Sequence, residues 1–400
     1  MGGKQGGTLK RLHSLDALRG VAALSVVVWH WQHFFALSGT WQVNWQRPSQ
    51  PLFWLLKPLY EAGWAAVDLF FALSGFVFFW LYREAIAQKR VGAGRFALLR
   101  FSRLYPLHVV TLVLVAILQI FFLQRTGHYF IFNSGDGARF AAALVMAQQW
   151  LPPTEDQFFN GPAWSVSIEV LLYILFFMWC RARLAGPRLT LVVAFAGILI
   201  IPYNELIARG VMGFFLGGAT FFLTEHIKAR ADARRMARTL AALAIAAWLA
   251  VVAEDYSGML HGICERFFAQ GALRDYYLGA SDDLFLLPFI FIVSPLTLMA
   301  LALHEYFGGS AYRRLSFLGD ISYSTYLLHF PMQLGLALFA LRFGLTPQAF
   351  QNIPVMAAFF IVLIALGAAS HYRFERPMQR WIRSIGQPAD RPALSPAPPD

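Results

Sequence analysis

Residues 15–30 read LDALRGVAALSVVVWH, an apolar run long enough to enter a bilayer that nevertheless carries Asp16, Arg19 and His30. On an α-helix the eleven steps from Arg19 to His30 make three turns, so both fall on nearly one face, about 16 Å apart along the axis. A cation at a membrane surface then shares a stripe with a titratable imidazole deep in the apolar slab. Ionisable groups at that depth are costly to bury, and the default reading of them is functional. A plainer reading has Arg19 reaching back to the interface and His30 bonding a neighbouring helix. The rest of the chain bears on the choice.

The 400 residues are 58% hydrophobic, 16% aromatic and only 14% charged, which excludes an ordinary soluble globule. Apolar blocks of about 18 to 24 residues recur, the length that spans about 30 Å of hydrocarbon. The net charge of +11 is spread between these blocks rather than gathered on one soluble face. That pattern argues against nucleic acid and reads as loops facing the cytoplasm, with anionic lipid and an anionic ligand as partners. Cys180 and Cys264 end different apolar segments, predicted on opposite sides, so no disulfide is expected, and no metal-ligand spacing occurs. The first apolar run contains Asp and Arg and lacks a small-x-small cleavage site, so it reads as a retained first helix.

The hydropathy pattern predicts an all-α integral membrane protein with about ten transmembrane helices. They cover about 15–36, 62–82, 104–123, 161–179, 189–206, 210–226, 239–253, 282–303, 317–341 and 353–372. Residues 1–14 form a Gly-rich basic tail, 15–380 one membrane domain, and 381–400 a Pro-rich tail, with no soluble extracellular domain expected. Gly92 and Gly94 break a basic connector from Arg83 to Arg103, and the next helix opens LYP with Pro106 in its first turn, where proline is tolerated. The apolar half-segment 139–150 is too short to span and is re-entrant or interfacial. RFERPMQRWIR (373–383) reads as an amphipathic surface helix. With both termini cytoplasmic, 25 of the 33 Lys and Arg residues lie inside and 8 outside.

Four groups of residues carry chemistry. Arg19 with His30 is the first. Arg100 and Arg103, spaced i,i+3, share a helix face where two guanidinium forks can take phosphate oxygens, although cytoplasmic arginines need no such role. Glu169 follows Trp164, Ser165 and Ser167 into an apolar helix; a carboxylate there must be paired or protonated. Helix rise puts Glu169 roughly 12 Å below the outer surface and His30 roughly 22 Å above the inner one, so a pair is the economical arrangement. Asp68 and Ser74, with Tyr323, Tyr326 and His329, form the fourth group, for which polar contacts between helices are the simpler reading. No nucleophile elbow, P-loop or GxGxxG occurs, and carboxylates are too few for a water-filled metal site.

Taken in order, LDALRG with the following His30, VDLFFALSGF (67–76), RFSRLYP (100–106), GPAWSVSIE (161–169), SYSTYLLHFP (322–331) and ERP (375–377) resemble one family. It is the membrane-bound acyltransferase-3 family of O-acyltransferases, which acetylate bacterial cell-surface sugars. The resemblance spans roughly residues 12–380. It implies a ten-helix core in the bacterial inner membrane that takes an acetyl or other short acyl group from acyl-CoA, with acetyl-CoA the expected donor and no permanently bound cofactor. By position His30 resembles the family's essential histidine, and Arg19, Arg100 and Arg103 its arginines for the CoA side. Glu169 matches the acid of its W-S-x-S-x-E stretch, with Trp164 and Ser165 beside the donor. Asp68, Ser74 and Tyr323 are assigned to the acceptor saccharide. Ala72 stands where members often carry a second small or polar residue.

The expected mechanism holds the CoA phosphates on the arginines and uses His30, oriented by Glu169, as general base on an acceptor hydroxyl. Direct transfer and a transient acyl-enzyme both fit. Loops 38–60, 125–160 and 254–281 are expected to reach the acceptor. The competing reading is a proton-coupled transporter in which His30, Glu169 and Asp68 relay protons and the protein flips a glycolipid. Against it stand the missing inverted repeat and the paired arginines, for which a flippase has no need.

Overall fold

Helix α1 (His13–Trp29) has no capping side chain of its own. Instead, in the computed structural model, the backbone N–H groups of His13 and Ser14 donate to the two carboxylate oxygens of Glu305, at 2.9 and 2.8 Å. An anion supplied from a distant helix thus satisfies the orphan amides of the first turn. The structure describes residues 11–37, 47–150, 159–259, 286–309 and 311–385. The parts of the three outer loops at 38–46, 151–158 and 260–285, Cys264 and both tails lie outside the described residues.

After α1 a 3-10 turn (His30–Phe35) extends the same rod. Helices α2 (Phe53–Ala62) and α3 (Ala66–Leu81) join through a 3-10 turn into one span, and α4 (Arg83–Ala87) is a single turn. There follow α5 (Ala93–Thr126), α6 (Gly137–Leu144), α7 (Trp164–Arg181), α8 (Pro187–Ala196), α9 (Glu205–Lys228) and α10 (Ala233–Ser257). A π-helical turn leads into α11 (Ser294–Tyr306); then come α12 (Ser316–Asp320), α13 (Ser322–Arg342), α14 (Ile353–Ser370) and α15 (Arg376–Ile385). No strand occurs among the described residues. Among the described residues, eight segments are long and apolar enough to cross a membrane, and Pro187–Ile200, which begins with α8, is a shorter apolar helix. The protein is therefore a multi-pass, all-helical membrane protein.

Three sequence expectations are corrected. The basic connector does not break at Gly94: α5 starts at Ala93, so Arg95, Arg100 and Arg103 ride on it and Pro106 lies well inside it. The run FALLRFSRL is rich in good helix formers and outweighs one glycine. The helix expected over 317–341 breaks at Ile321 into α12 and α13. The last span does not stop at 372 but passes through a π-turn (His371–Glu375) into α15, whose Arg383 Nε donates to Ser102 Oγ of α5 at 3.1 Å. The half-segment 139–150 becomes α6 and a following turn; the Asp136 side chain caps α6, and its Ala143 carbonyl accepts from His108 of α5 at 2.7 Å.

Small residues set the closest helix approaches. A Cβ built at Gly75 of α3 meets the Phe214 carbonyl oxygen at 1.8 Å, and one at Gly217 of α9 meets the Ala72 oxygen at 1.9 Å. Such backbone-to-backbone packing is how helices associate where lipid is as apolar as leucine. Gly20 and Gly319 do the same between α1 and α12: a Cβ at Gly319 comes within 2.2 Å of the Asp16 oxygen. That crossing places Arg19 against the end of α12. A second buried layer gathers Trp31, Phe34, Phe330, Phe350 and Phe359 where α1 meets α13 and α14.

Candidate active site

A cavity of about 170 Å³ lies between α1, α3, α5, α7 and α13. Seven of the ten residues assigned roles from the sequence line it: Arg19, Ser74, Arg100, Arg103, Ser165, Glu169 and Tyr323. Arg11 joins them, so four guanidinium groups face the carboxylates of Asp16 and Glu169. The balance is positive, and the surrounding wall of Phe, Leu and Val strengthens its field by keeping the dielectric low.

Each arginine is held by the local fold. Arg19 donates from Nε and Nη2 to the Gly319 carbonyl at 3.2 and 2.8 Å and lies 3.4 Å from Asp16, one turn earlier. Arg11 bridges Asp16 and Asp320, 2.5 Å from each. Arg100 donates to the Tyr82 hydroxyl at 2.7 Å, and its guanidinium stacks over the Phe78 and Tyr82 rings at 5.1 and 5.0 Å. Arg103 follows one helical turn later on the same face, as the i,i+3 spacing requires. Tyr323 donates to the Leu104 carbonyl at 2.6 Å, pinning α13 to α5. The far end of the cavity is Ser165 and Tyr326, with hydroxyls 2.9 Å apart.

His30 does not line this cavity. Its Nδ1 lies 3.0 Å from Nε2 of His329 on α13, and the two rings stack with centroids 4.9 Å apart. The Tyr326 ring, at the end of the cavity, sits 5.9 Å from the His329 ring. Gln333, one turn beyond His329, donates to the His30 carbonyl at 2.9 Å while its Oε1 lies 3.1 Å from His33 Nδ1. Two rungs on α13 therefore fix both the ring and the backbone of His30.

The expected pairing of Glu169 with His30 is not the one observed. The Tyr173 hydroxyl, four residues on along α7, donates to Glu169, which faces the arginine cavity. Depth along the axis was matched, but helix azimuth decides contact, and it turns Glu169 toward α5. Asp68 is also placed differently: it is fully buried and paired bidentately with Arg209 of α9, at 3.0 and 2.8 Å. Trp164, expected beside the donor, instead covers this pair, its ring 5.5 Å from the Arg209 guanidinium with Trp64 at 4.9 Å on another side. Neither Asp68 nor Trp164 lines the cavity. Sequence reasoning missed Arg209, Glu305 and Tyr82 and undervalued His329. A charge in the middle of an apolar span, as Arg209 is, was the available signal. Among the described residues no cluster of His, Cys, Asp and Glu could hold a metal ion.

Comparison with known proteins yields a family model described as an acyltransferase domain, which matches residues 12–372. A curated relative, acyltransferase MdmB of Streptomyces mycarofaciens, is 33% identical over 174 residues, 43% of this chain and 40% of its own length. The chain thus spans less than half of that relative. Protein 2 in the picA locus of Rhizobium radiobacter is 32% identical over 206 residues, 48% of this chain and 94% of its own length. No solved structure matches the chain.

Proposed function

This chain belongs to the acyltransferase family whose model covers almost all of it, and from that premise we propose that it moves an acetyl or other short acyl group from acyl-CoA to a hydroxyl of a cell-surface or lipid-linked saccharide. It is an acyl-transferring membrane enzyme; donor, acceptor and a bacterial inner-membrane location form the proposal. The observation that carries it is one cavity with four arginines among its walls and Ser165 and Tyr326 at its end, next to the His329–His30 pair.

In this reading Arg19, Arg100 and Arg103 pair with the CoA phosphates at the cytoplasmic mouth. The pantetheine arm runs along the apolar wall of α3, past Ser74, toward Ser165 and Tyr326. The roughly 16 Å of helix axis between Arg19 and His30 is a reach such an arm can cover. His30 acts as general base. With the shared proton on its Nδ1, donated to His329, Nε2 carries the lone pair that takes the acceptor's hydroxyl proton. The hydroxyl oxygen attacks the thioester carbonyl carbon, the C–S bond breaks, and the CoA thiolate leaves with a proton. His329 replaces Glu169 as the group that orients the base, and Glu169 with Tyr173 shapes the donor cavity.

The test is purified protein in detergent with acetyl-labelled acetyl-CoA and a carbohydrate-rich envelope extract, comparing wild type, His30→Ala and Arg103→Ala. Loss of transfer in His30→Ala with donor binding retained, and weakened donor binding in Arg103→Ala, supports both assignments. No donor binding by the wild type sinks the proposal.

A further inference from the structure

A second, smaller pocket lies on the other side of the turn that precedes α7, walled by α5, α6 and residues 148 and 159–163. Its volume is about 10 Å³, room for one water-sized group. Three uncharged polar side chains on its wall are more than nine-tenths buried: His108, Gln148 and Asn160. Each uses one polar atom on a backbone carbonyl. His108 Nε2 lies 2.7 Å from the Ala143 oxygen, Gln148 Nε2 donates to Ala163 at 2.9 Å, and Asn160 Nδ2 donates to Leu327 at 3.4 Å.

A carbonyl oxygen only accepts, so those contacts settle the rest of each group. His108 must carry its proton on Nε2, which leaves Nδ1 an acceptor. Both amides must turn their nitrogens outward, which leaves Oε1 and Oδ1. These three atoms, His108 Nδ1, Gln148 Oε1 and Asn160 Oδ1, have no hydrogen-bond partner among the described residues. An unpaired buried polar atom costs about 1–3 kcal/mol, so three acceptors in one small pocket call for a donor. Arg139, itself buried on the same wall, opposes a cation there. An uncharged O–H, its one hydrogen shared between these acceptors as a three-centre bond, is a group compatible with both conditions.

The turn that walls this pocket is bonded to α13 beside the donor cavity. Pro162, in the same turn, accepts from the Tyr326 hydroxyl at 2.9 Å, and Asn160 reaches Leu327, two residues before His329. We propose that the pocket formed by His108, Gln148 and Asn160 seats one hydroxyl of the acceptor saccharide, fixing the sugar so that a second hydroxyl reaches His30. This rests on the acyl-transfer reading above and adds to it the residues that recognise the acceptor.

The experiment measures transfer from labelled acetyl-CoA to the envelope extract while each substrate is varied in turn, for wild type, Gln148→Leu and Asn160→Ser. Removing one acceptor atom is expected to raise the apparent KM for the extract about tenfold, the usual weight of a hydrogen bond, with the KM for acetyl-CoA within twofold of wild type. A lower melting temperature with both KM values unchanged, or both KM values rising together, overturns the inference and leaves a pocket for structural water, with the acyl-transfer reading intact. If one variant fails to fold, the other supplies the measurement. Absence of transfer in the wild type removes the acyl-transfer reading and this inference with it.

Discussion

Nδ1 of His30 and Nε2 of His329 are 3.0 Å apart across the α1–α13 interface, and the buried rings stack at 4.9 Å. A buried base gains its orientation from this contact. His30→Ala is expected to lower acyl transfer by about 10²–10⁴-fold, the usual range for a general base. His329→Phe, which keeps a ring but no acceptor, should cost about tenfold or more in kcat with little change in KM. His329→Gln, which restores an acceptor oxygen, should recover part of it. Equal rates for the Phe and Gln variants would argue against a positioning role.

Donor binding depends on the arginine end of the cavity. Arg100→Lys keeps the charge but loses the planar stack on Phe78 and Tyr82 and the fixed fork. Its Kd for acetyl-CoA, read by calorimetry in detergent, should rise about tenfold, and Arg103→Ala should exceed that. Both effects should shrink as salt is raised, since screening weakens the attraction in the wild type as well. A salt-independent Kd in the wild type contradicts a phosphate site.

Asp68 and Arg209 form a buried pair flanked by Trp64 and Trp164, with Glu205 3.4 Å from the far side of the guanidinium. Removing one partner leaves a buried charge, at a cost of about 3–5 kcal/mol. Asp68→Asn and Arg209→Met should each lower the melting temperature in detergent sharply. The double variant Asp68→Leu with Arg209→Met should be closer to wild type than either single change. Additive losses would mean that the two side chains act independently.

Two glycines, one at the α3–α9 contact and one outside it, make a matched pair. Gly217→Ala puts a Cβ 1.9 Å from a backbone oxygen and should destabilise by about 1–3 kcal/mol or prevent assembly of the bundle. Gly335→Ala on α13 meets nothing within 4 Å and should be neutral or stabilising by up to about 1 kcal/mol. Thermal unfolding of the two proteins side by side is the check.

Loss of the carboxylate that caps α1 from α11 is the last case. Glu305→Ala leaves the amides of His13 and Ser14 unpaired and should cost about 0.5–2 kcal/mol. Because α1 carries Arg19, which lines the donor cavity, fraying of its first turn should also weaken acetyl-CoA binding, measurable in the same calorimetric assay.

The helical, membrane-spanning class was written in the sequence, because 18 to 24 apolar residues in a row have few other uses. So was the arginine face: Arg100 and Arg103 are three residues apart on one helix, and that spacing alone puts them together. Arg19 lines the cavity from α1, whereas His30 falls in the 3-10 turn that follows, off the cavity wall. What periodicity does not carry is the partner across an interface. Glu169 and His30 were matched in depth, yet Glu169 turns to Tyr173 and His30 to His329, 299 residues away. Asp68 finds Arg209 only because Gly75, Gly213 and Gly217 let α3 and α9 approach backbone to backbone. The sequence by itself determined the helices, their charged faces and the family they belong to, all of which depend on short-range spacing. Which faces meet depends on azimuth and crossing angle, which the packing of the whole bundle sets, so the tertiary structure alone decided the histidine pair, the buried ion pair and the walls of the cavity.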